Sequence, residues 1–246
     1  MAKLIGLSAG HSNKVGRDRG AAGNNYVEGN LTVELREMVY SELKKLGVTA
    51  IKDGNNTILQ ESINFFRTKI NSEAIALEFH WNSSSSSEAT GVETIIPSNP
   101  EAKETLYAQQ LSLIVRDTLN IPLRGNKGVK TELETYHGKL GWMRMNCTNL
   151  LLEVCFISNN EDMESYQKNK EVLAKRIAQF LYNCANNVTF KDGSSIRKTV
   201  THVVQSGDTL TSIAKKYNTS ILEIKKTNHL QGDFLLVGED LTININ

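Results

Sequence analysis

From residue 1 to about 186, short apolar runs alternate with stretches in which apolar side chains recur at helical spacing, and few architectures satisfy that alternation. Lys3 to Ser8 reads as a buried strand. From Glu28 onward, Leu31, Leu35, Met38, Val39, Leu43 and Leu46 mark one face of a helix that Gly47 stops. Val48 to Ile51 predicts a short strand, Ile58 to Ile70 a helix, Ala74 to Phe79 a strand and Val92 to Ile96 another, bounded by Pro97. Glu101 to Leu119 is an amphipathic helix, Leu150 to Ile157 the most apolar strand, and Asp162 to Cys184 a closing helix. The expectation is an α/β fold, a twisted, largely parallel or mixed sheet flanked by helices.

Between Asn186 and Thr199 the composition shifts to Asn, Asp, Gly, Ser and Lys, which reads as a linker over 187–199 between a domain at 1–186 and a second at 200–246. In the second, a strand from Thr201 to Val204, a turn at Ser206 and Gly207, a helix from Asp208, another near Ser220 and a strand from Leu241 to Ile245 predict a small βααβ module. Asp208 is expected to cap the helix that carries Leu210, Ile213, Ala214 and Tyr217.

Lys and Arg number 28 against 27 Asp and Glu, a net charge of +1, so the chain has no electrostatic footprint for nucleic acid or an anionic membrane. No stretch approaches the roughly eighteen apolar residues of a membrane span. Cys147, Cys155 and Cys184 have no paired metal-ligand spacing and are expected as buried thiols in a reducing compartment. The apolar stretch near Met1 is too short for a signal-peptide core, so synthesis in the cytoplasm without a signal peptide is expected.

Four residues stand where predicted elements meet loops or where charge is out of place: His11, Glu28, His80 and Glu153. Two imidazoles and a carboxylate can make a three-ligand zinc site with one position open to water, and a further carboxylate can move protons there. Each also has a plain structural reading. A lone His at a strand end is usually hydrogen-bonded within the fold, and a Glu at a helix start complements the dipole. Glu153 is the sharpest signal, because a carboxylate within an apolar strand is costly unless it has a partner.

The order of motifs adds to this. Ala9-Gly-His-Ser-Asn, then Asp18-Arg-Gly-Ala-Ala-Gly and Glu28, resembles the opening of the zinc-dependent N-acetylmuramoyl-L-alanine amidases of bacterial cell walls. Arg67, Asn71 and Phe79-His80-Trp-Asn82, then Asn126-Lys-Gly-Val-Lys130, then Leu150-Leu-Leu-Glu153-Val-Cys-Phe-Ile-Ser-Asn159, are similar to that family's later blocks. The resemblance spans residues 3 to about 185. It implies a phosphorylase/hydrolase-like fold, Zn2+ bound by His11, Glu28 and His80, Glu153 as catalytic carboxylate, and Asn82 at the substrate. Departures are Ser12-Asn13 for glycines, Glu78 for a small residue two before His80, and Cys155 for a glycine. Glu78 is either a group behind the ligands or a displaced ligand. Cys155 is a small buried side chain or a thiol near the metal. His137 is a loop residue or a substrate contact, and Trp142 a sugar platform or a core residue.

Thr201-His-Val-Val-Gln-Ser-Gly-Asp-Thr-Leu210, with Asn228 and Val237-Gly-Glu-Asp-Leu-Thr-Ile243, looks like a lysin-motif (LysM) module. That resemblance implies binding to N-acetylglucosamine-containing glycan through Gly207, Asp208, Thr209 and Leu210, facing Leu230 to Asp233. Together the two resemblances imply a peptidoglycan hydrolase that cleaves the amide between N-acetylmuramic acid and L-alanine, as a phage endolysin acting on the host wall after membrane permeabilisation. The alternatives are a host autolysin of the same chemistry, another zinc peptidase on the stem peptide, and a non-catalytic peptidoglycan-binding protein.

Overall fold

The computed structural model describes residues 3–188, 198–228, 230 and 232–245. The described chain divides into two compact units near residues 193 and 194. Most of the expected linker, 189–197, lies outside the described residues.

In the first unit, a six-stranded sheet is built from β1 (Ile5–Ser8), β4 (Ala50–Lys52), β5 (Ile75–Asn82), β6 (Glu93–Ile96), β7 (Val129–Thr131) and β8 (Thr148–Phe156) in the order β4-β1-β5-β8-β6-β7. β4, β1, β5 and β8 run parallel, β6 is antiparallel to β8, and β7 is parallel to β6, so the sheet is mixed as expected. Helix α4 (Asn160–Ala185) packs against both α1 (Glu28–Lys45) and α3 (Ala102–Leu119), and all three lie on the sheet. α2 (Leu59–Arg67) and a 3-10 turn at Gly141–Arg144 meet the sheet in a cluster of Ile63, Phe66, Ala76, Ile95, Trp142, Met143, Met145 and Leu151. Trp142 belongs to this core: it is 1% exposed, its ring meets Phe66 edge-on, and its Nε1–H donates to Leu150 O at 3.0 Å.

Side chains alternate across a strand, so Ala76, Glu78 and His80 share a face of β5, Leu151 and Glu153 one of β8, and Ile95 and Glu93 one of β6. The ladder aligns Glu78 with Leu151 and Leu151 with Ile95, then His80 with Glu153 and Glu153 with Glu93. On this sheet face Leu151 and Ile95 lie in a row with Glu78, and the next row, His80, Glu153 and Glu93, is ionisable throughout.

The sequence reading placed element ends a few residues off and missed three features. A short hairpin pairs β2 (Ala22–Gly23) with β3 (Tyr26–Val27) around Asn24 and Asn25, both with positive φ, the conformation tight hairpins require. β7 was not among the expected strands. β5 runs on to Asn82, so His80 lies inside the strand and not at its end.

In the second unit, β9 (Lys198–Val203) pairs antiparallel with β10 (Asp240–Ile245), and α5 (Leu210–Lys216) and α6 (Ile221–Thr227) lie between them in sequence, the expected βααβ order. Val204, Leu210, Ile213, Ala214, Ile224, Leu241 and Ile243 form its core. The cap of α5 is Thr209, whose Oγ1 accepts the Ser212 N–H at 3.0 Å. Asp208 is not the cap. Its Oδ2 instead accepts the Gln205 N–H and contacts His202 Nε2, each at 2.8 Å, which fixes the turn before the helix.

Candidate metal centre and active site

The hairpin delivers the chain directly into α1 at Glu28. Glu28 N–H donates to Ala21 O, and Glu28 Oε2 accepts the Ala21 N–H at 2.8 Å. The other oxygen, Oε1, lies 3.1 Å from His80 Nδ1 and 3.5 Å from His11 Nε2. Between His80 and Asn82 the β5–β8 register slips, and the Trp81 N–H donates to Glu28 Oε1 at 3.0 Å. Glycine is required on both sides. A Cβ at Gly20 would overlap the Glu28 carboxylate, and one at Gly10 would stand 2.5 Å from His80 Nε2.

His11, Glu28 and His80 thus offer one donor atom each, all within 4.8 Å of one another. A tetrahedral zinc with bonds of about 2.0–2.2 Å sets its donors roughly 3.4 Å apart. The 3.1 and 3.5 Å separations bracket that value. The donor set of two imidazoles and a carboxylate also suits zinc chemistry. Outside the triad, each imidazole turns its second nitrogen toward another carboxylate: His11 Nδ1 is 3.3 Å from Asp18 Oδ1, and His80 Nε2 is 3.3 Å from Glu78 Oε2. Burial pulls the His11 pKa down, with His80 adding to the effect. Burial opposes protonation of His80 too, but Glu28 and Glu78 overcome it and raise its pKa. Burial also works to raise the Glu28 pKa, and contacts with His80, His11 and the Trp81 N–H outweigh it and keep the carboxyl ionised.

Glu153 stands beside His80 on β8, with Oε2 buried and without a hydrogen bond. Burial pushes its pKa up to about 8; His80 opposes the rise, while Glu28, Glu93 and Glu78 add to it. The cavity in front of the four residues is about 980 Å³ and is also lined by Asn82, Glu93, Arg124, Lys130 and His137. Asn82 Nδ2 donates to Glu93 Oε1 at 3.1 Å, and Glu93 Oε2 pairs with Lys130 at 2.7 Å and Arg124 at 3.3 Å. The sequence reading missed Glu93, although it carries the signal that singled out Glu153, a charge within an apolar strand (Val92-Glu-Thr-Ile-Ile). Cys155 is fully buried with its thiol toward Asp162 O at 4.0 Å, outside the metal-donor group. Glu78 is outside that group as well.

In the second unit, Gly207 and Thr209 are exposed at the turn, Asp208 is partly exposed, and the Leu210 side chain is 3% exposed within the core.

Residues 5–183 match the family model described as N-acetylmuramoyl-L-alanine amidase. The chain belongs to that family. A LysM domain follows at residues 202–244. Among solved structures, this amidase-family chain is similar to a "putative N-acetylmuramoyl-L-alanine amidase" from Neisseria meningitidis, 27% identical with a TM-score of 0.61, covering 73% of this chain and 93% of that one. It shares the fold of the catalytic domain of CwlV from Bacillus (Paenibacillus) polymyxa var. colistinus, 22% identical with a TM-score of 0.55, covering 75% and 97%. Among curated proteins, it is 49% identical over 41 residues to the Bacillus subtilis protein named "Probable peptidoglycan endopeptidase LytE", a match covering 17% of this chain and 12% of that one. A second match, 32% identical over 69 residues, is to the Staphylococcus aureus protein named "Probable autolysin SsaALP", covering 28% and 26%. The chain therefore spans about an eighth to a quarter of the length of these curated relatives.

Proposed function

We propose that this amidase-family chain is a zinc-dependent N-acetylmuramoyl-L-alanine amidase, hydrolysing the amide that joins N-acetylmuramic acid to the L-alanine of the peptidoglycan stem. The observation that carries the reading is the convergence of His11, Glu28 and His80 beside the buried carboxyl of Glu153. In it, His11, Glu28 and His80 hold Zn2+, which when bound supplies Lewis acidity toward the amide carbonyl and lowers the pKa of water. Glu153 takes the proton of the attacking water and returns it to the leaving alanine nitrogen. Burial raises this carboxyl to about 8 in the metal-free chain, and the charge of a bound Zn2+ would pull it back toward the ionised form that a general base needs. Asn82, steadied by Glu93, faces the same cavity and is assigned to substrate binding.

The LysM unit is read as a binder of N-acetylglucosamine-containing glycan at Gly207, Asp208 and Thr209, with Leu210 supporting the turn from the core. Tethering a weak sugar binder to the catalytic unit raises the local enzyme concentration on an insoluble polymer without any new catalytic contact. For the setting, we read the chain as a phage endolysin, made in the cytoplasm and acting on the host wall once the membrane is permeabilised. Among the described residues, no helix is long and apolar enough to cross a membrane.

Mass spectrometry of digested, purified peptidoglycan tests the reaction. Stem peptides with a free N-terminal alanine and intact glycan strands are expected, and their release should stop with a chelator and resume with zinc. Cuts within the stem peptide, or within the glycan, would refute it.

A further inference from the structure

The geometry points to Glu78 as a positioning residue that holds the His80 ring with Nδ1 toward the donor triad, an inference that rests on the zinc reading above. The His80 ring lies between two carboxylates on opposite edges. Nδ1 is 3.1 Å from Glu28 Oε1, within the donor triad, and Nε2 is 3.3 Å from Glu78 Oε2. With the ring between Glu78 and the triad, Glu78 acts on a bound ion through His80 and not as a displaced ligand.

Three further observations support a working pair. First, Glu78 is 1% exposed and sits in a sheet row with Leu151 and Ile95, where a carboxylate is costly without donors. Second, the hydrogen bond to its Oε1 comes from Ser8 Oγ at 3.3 Å, and that hydroxyl lies closer, at 2.9 Å, to Asp53 Oδ2. A hydroxyl has one proton, so Ser8 cannot donate to both carboxylates at once, and Glu78 needs a second donor. Third, His80 Nε2 is buried without a hydrogen bond of full geometry, and the Gly10 backbone closes against that edge of the ring. A small ring rotation that aligns Nε2–H with Glu78 satisfies both groups. A ring whose Nε2 side is held by Glu78 keeps Nδ1 turned toward Glu28 and the triad, as outer carboxylates orient metal-binding imidazoles. The resembling family has a small residue at this position, so the arrangement belongs to this chain's own sequence.

The test is zinc affinity of the full chain, measured by competition with a chelator, for unaltered protein, Glu78→Gln and Glu78→Leu. It is paired with nitrogen NMR of the His80 ring in the zinc-loaded protein. Removing such an outer carboxylate weakens metal binding by roughly 10–100-fold, which is the loss expected for Glu78→Leu. Glu78→Gln, whose amide oxygen can still accept from Nε2–H, should fall between the two. In the unaltered chain the Nε2–H signal should show a hydrogen bond to the Glu78 carboxylate, and it should shift in both variants. A merely structural Glu78 would lower the melting temperature of the variants and leave zinc affinity unchanged, and equal affinity in all three proteins overturns the inference. An Nε2–H signal that is the same in the unaltered protein and in Glu78→Gln also overturns it, and that comparison decides the matter if Glu78→Leu does not fold. If the unaltered chain binds no zinc, the zinc reading itself fails and this inference fails with it. Tight zinc binding by the unaltered chain with no effect of either substitution removes this inference alone.

Discussion

Glu153→Gln keeps the size of the side chain and removes its ability to ionise. In the metal-free chain the Glu153 pKa is raised from the ordinary 4.5 to about 8, chiefly by burial. Between those two values the folded chain holds a proton that the unfolded chain has released. Stability therefore falls as pH rises through this window, and the full loss is present above about 8. At about 1.36 kcal/mol per pKa unit, the ceiling is ~5 kcal/mol. The side chain is partly open to the cavity, so solvent screening reduces this to roughly 1–3 kcal/mol. In chelator-stripped protein, the Gln variant should exceed the unaltered chain in stability by that amount at pH 9 and by little at pH 5. Urea unfolding at the two pH values measures the difference, and comparing variant with parent cancels the titrations of groups that do not interact with Glu153. The same substitution should lower amidase kcat/KM by roughly 10²–10⁴-fold, the usual worth of a general acid–base group. A stability gap that does not grow with pH, or activity within a few-fold of the parent, would refute the assignment of Glu153 as a buried proton carrier.

Trp142→Ala should destabilise the first unit by ~3–5 kcal/mol in urea unfolding, because the ring fills the core between α2 and the sheet; a change under 1 kcal/mol would contradict that placement. Arg36→Met should destabilise by about 3–5 kcal/mol, since it leaves the buried Asp53 without its ion pair; a neutral effect in the same assay would mean that Asp53 is satisfied by Ser8, Ser62 and Thr57 alone. The Asp208 pKa is lowered chiefly by the Gln205 N–H, with His202 adding to it. The stabilisation it gives is thus present above the ordinary carboxyl range and is lost as pH falls through the folded value. Asp208→Asn should flatten the acid limb of the LysM unit's melting curve, and an unchanged acid limb would contradict this.

Much of this fold could be read in the sequence, because buried parallel strands leave continuous apolar runs and the helices between them keep their spacing. The candidate metal-donor residues stood out in the sequence for a different reason. His11, Glu28 and His80 occupy junctions and motif blocks, and Glu153 interrupts the most apolar strand. What stayed hidden depends on pairing between distant segments. β7 is three residues long and becomes a strand only beside β6. The Asn24–Asn25 hairpin aims Glu28 at the imidazoles, and no periodicity announces it. Trp142 could not be told from a sugar platform until Phe66 and Ile63 were seen around it. Glu93 needed the β6–β8 register to place it beside Glu153. Asp208 followed capping statistics less closely than its neighbour Thr209, because its carboxylate was already engaged by His202 and Gln205.

The most direct test of the account is an anomalous difference map at the zinc edge from crystals of the chain grown with equimolar zinc. The account predicts one strong peak within bonding distance of His11 Nε2, Glu28 Oε1 and His80 Nδ1, with Glu153 facing its remaining side and Glu78 on the far edge of the His80 ring. A peak bound elsewhere, or none among residues 11, 28 and 80, would contradict it.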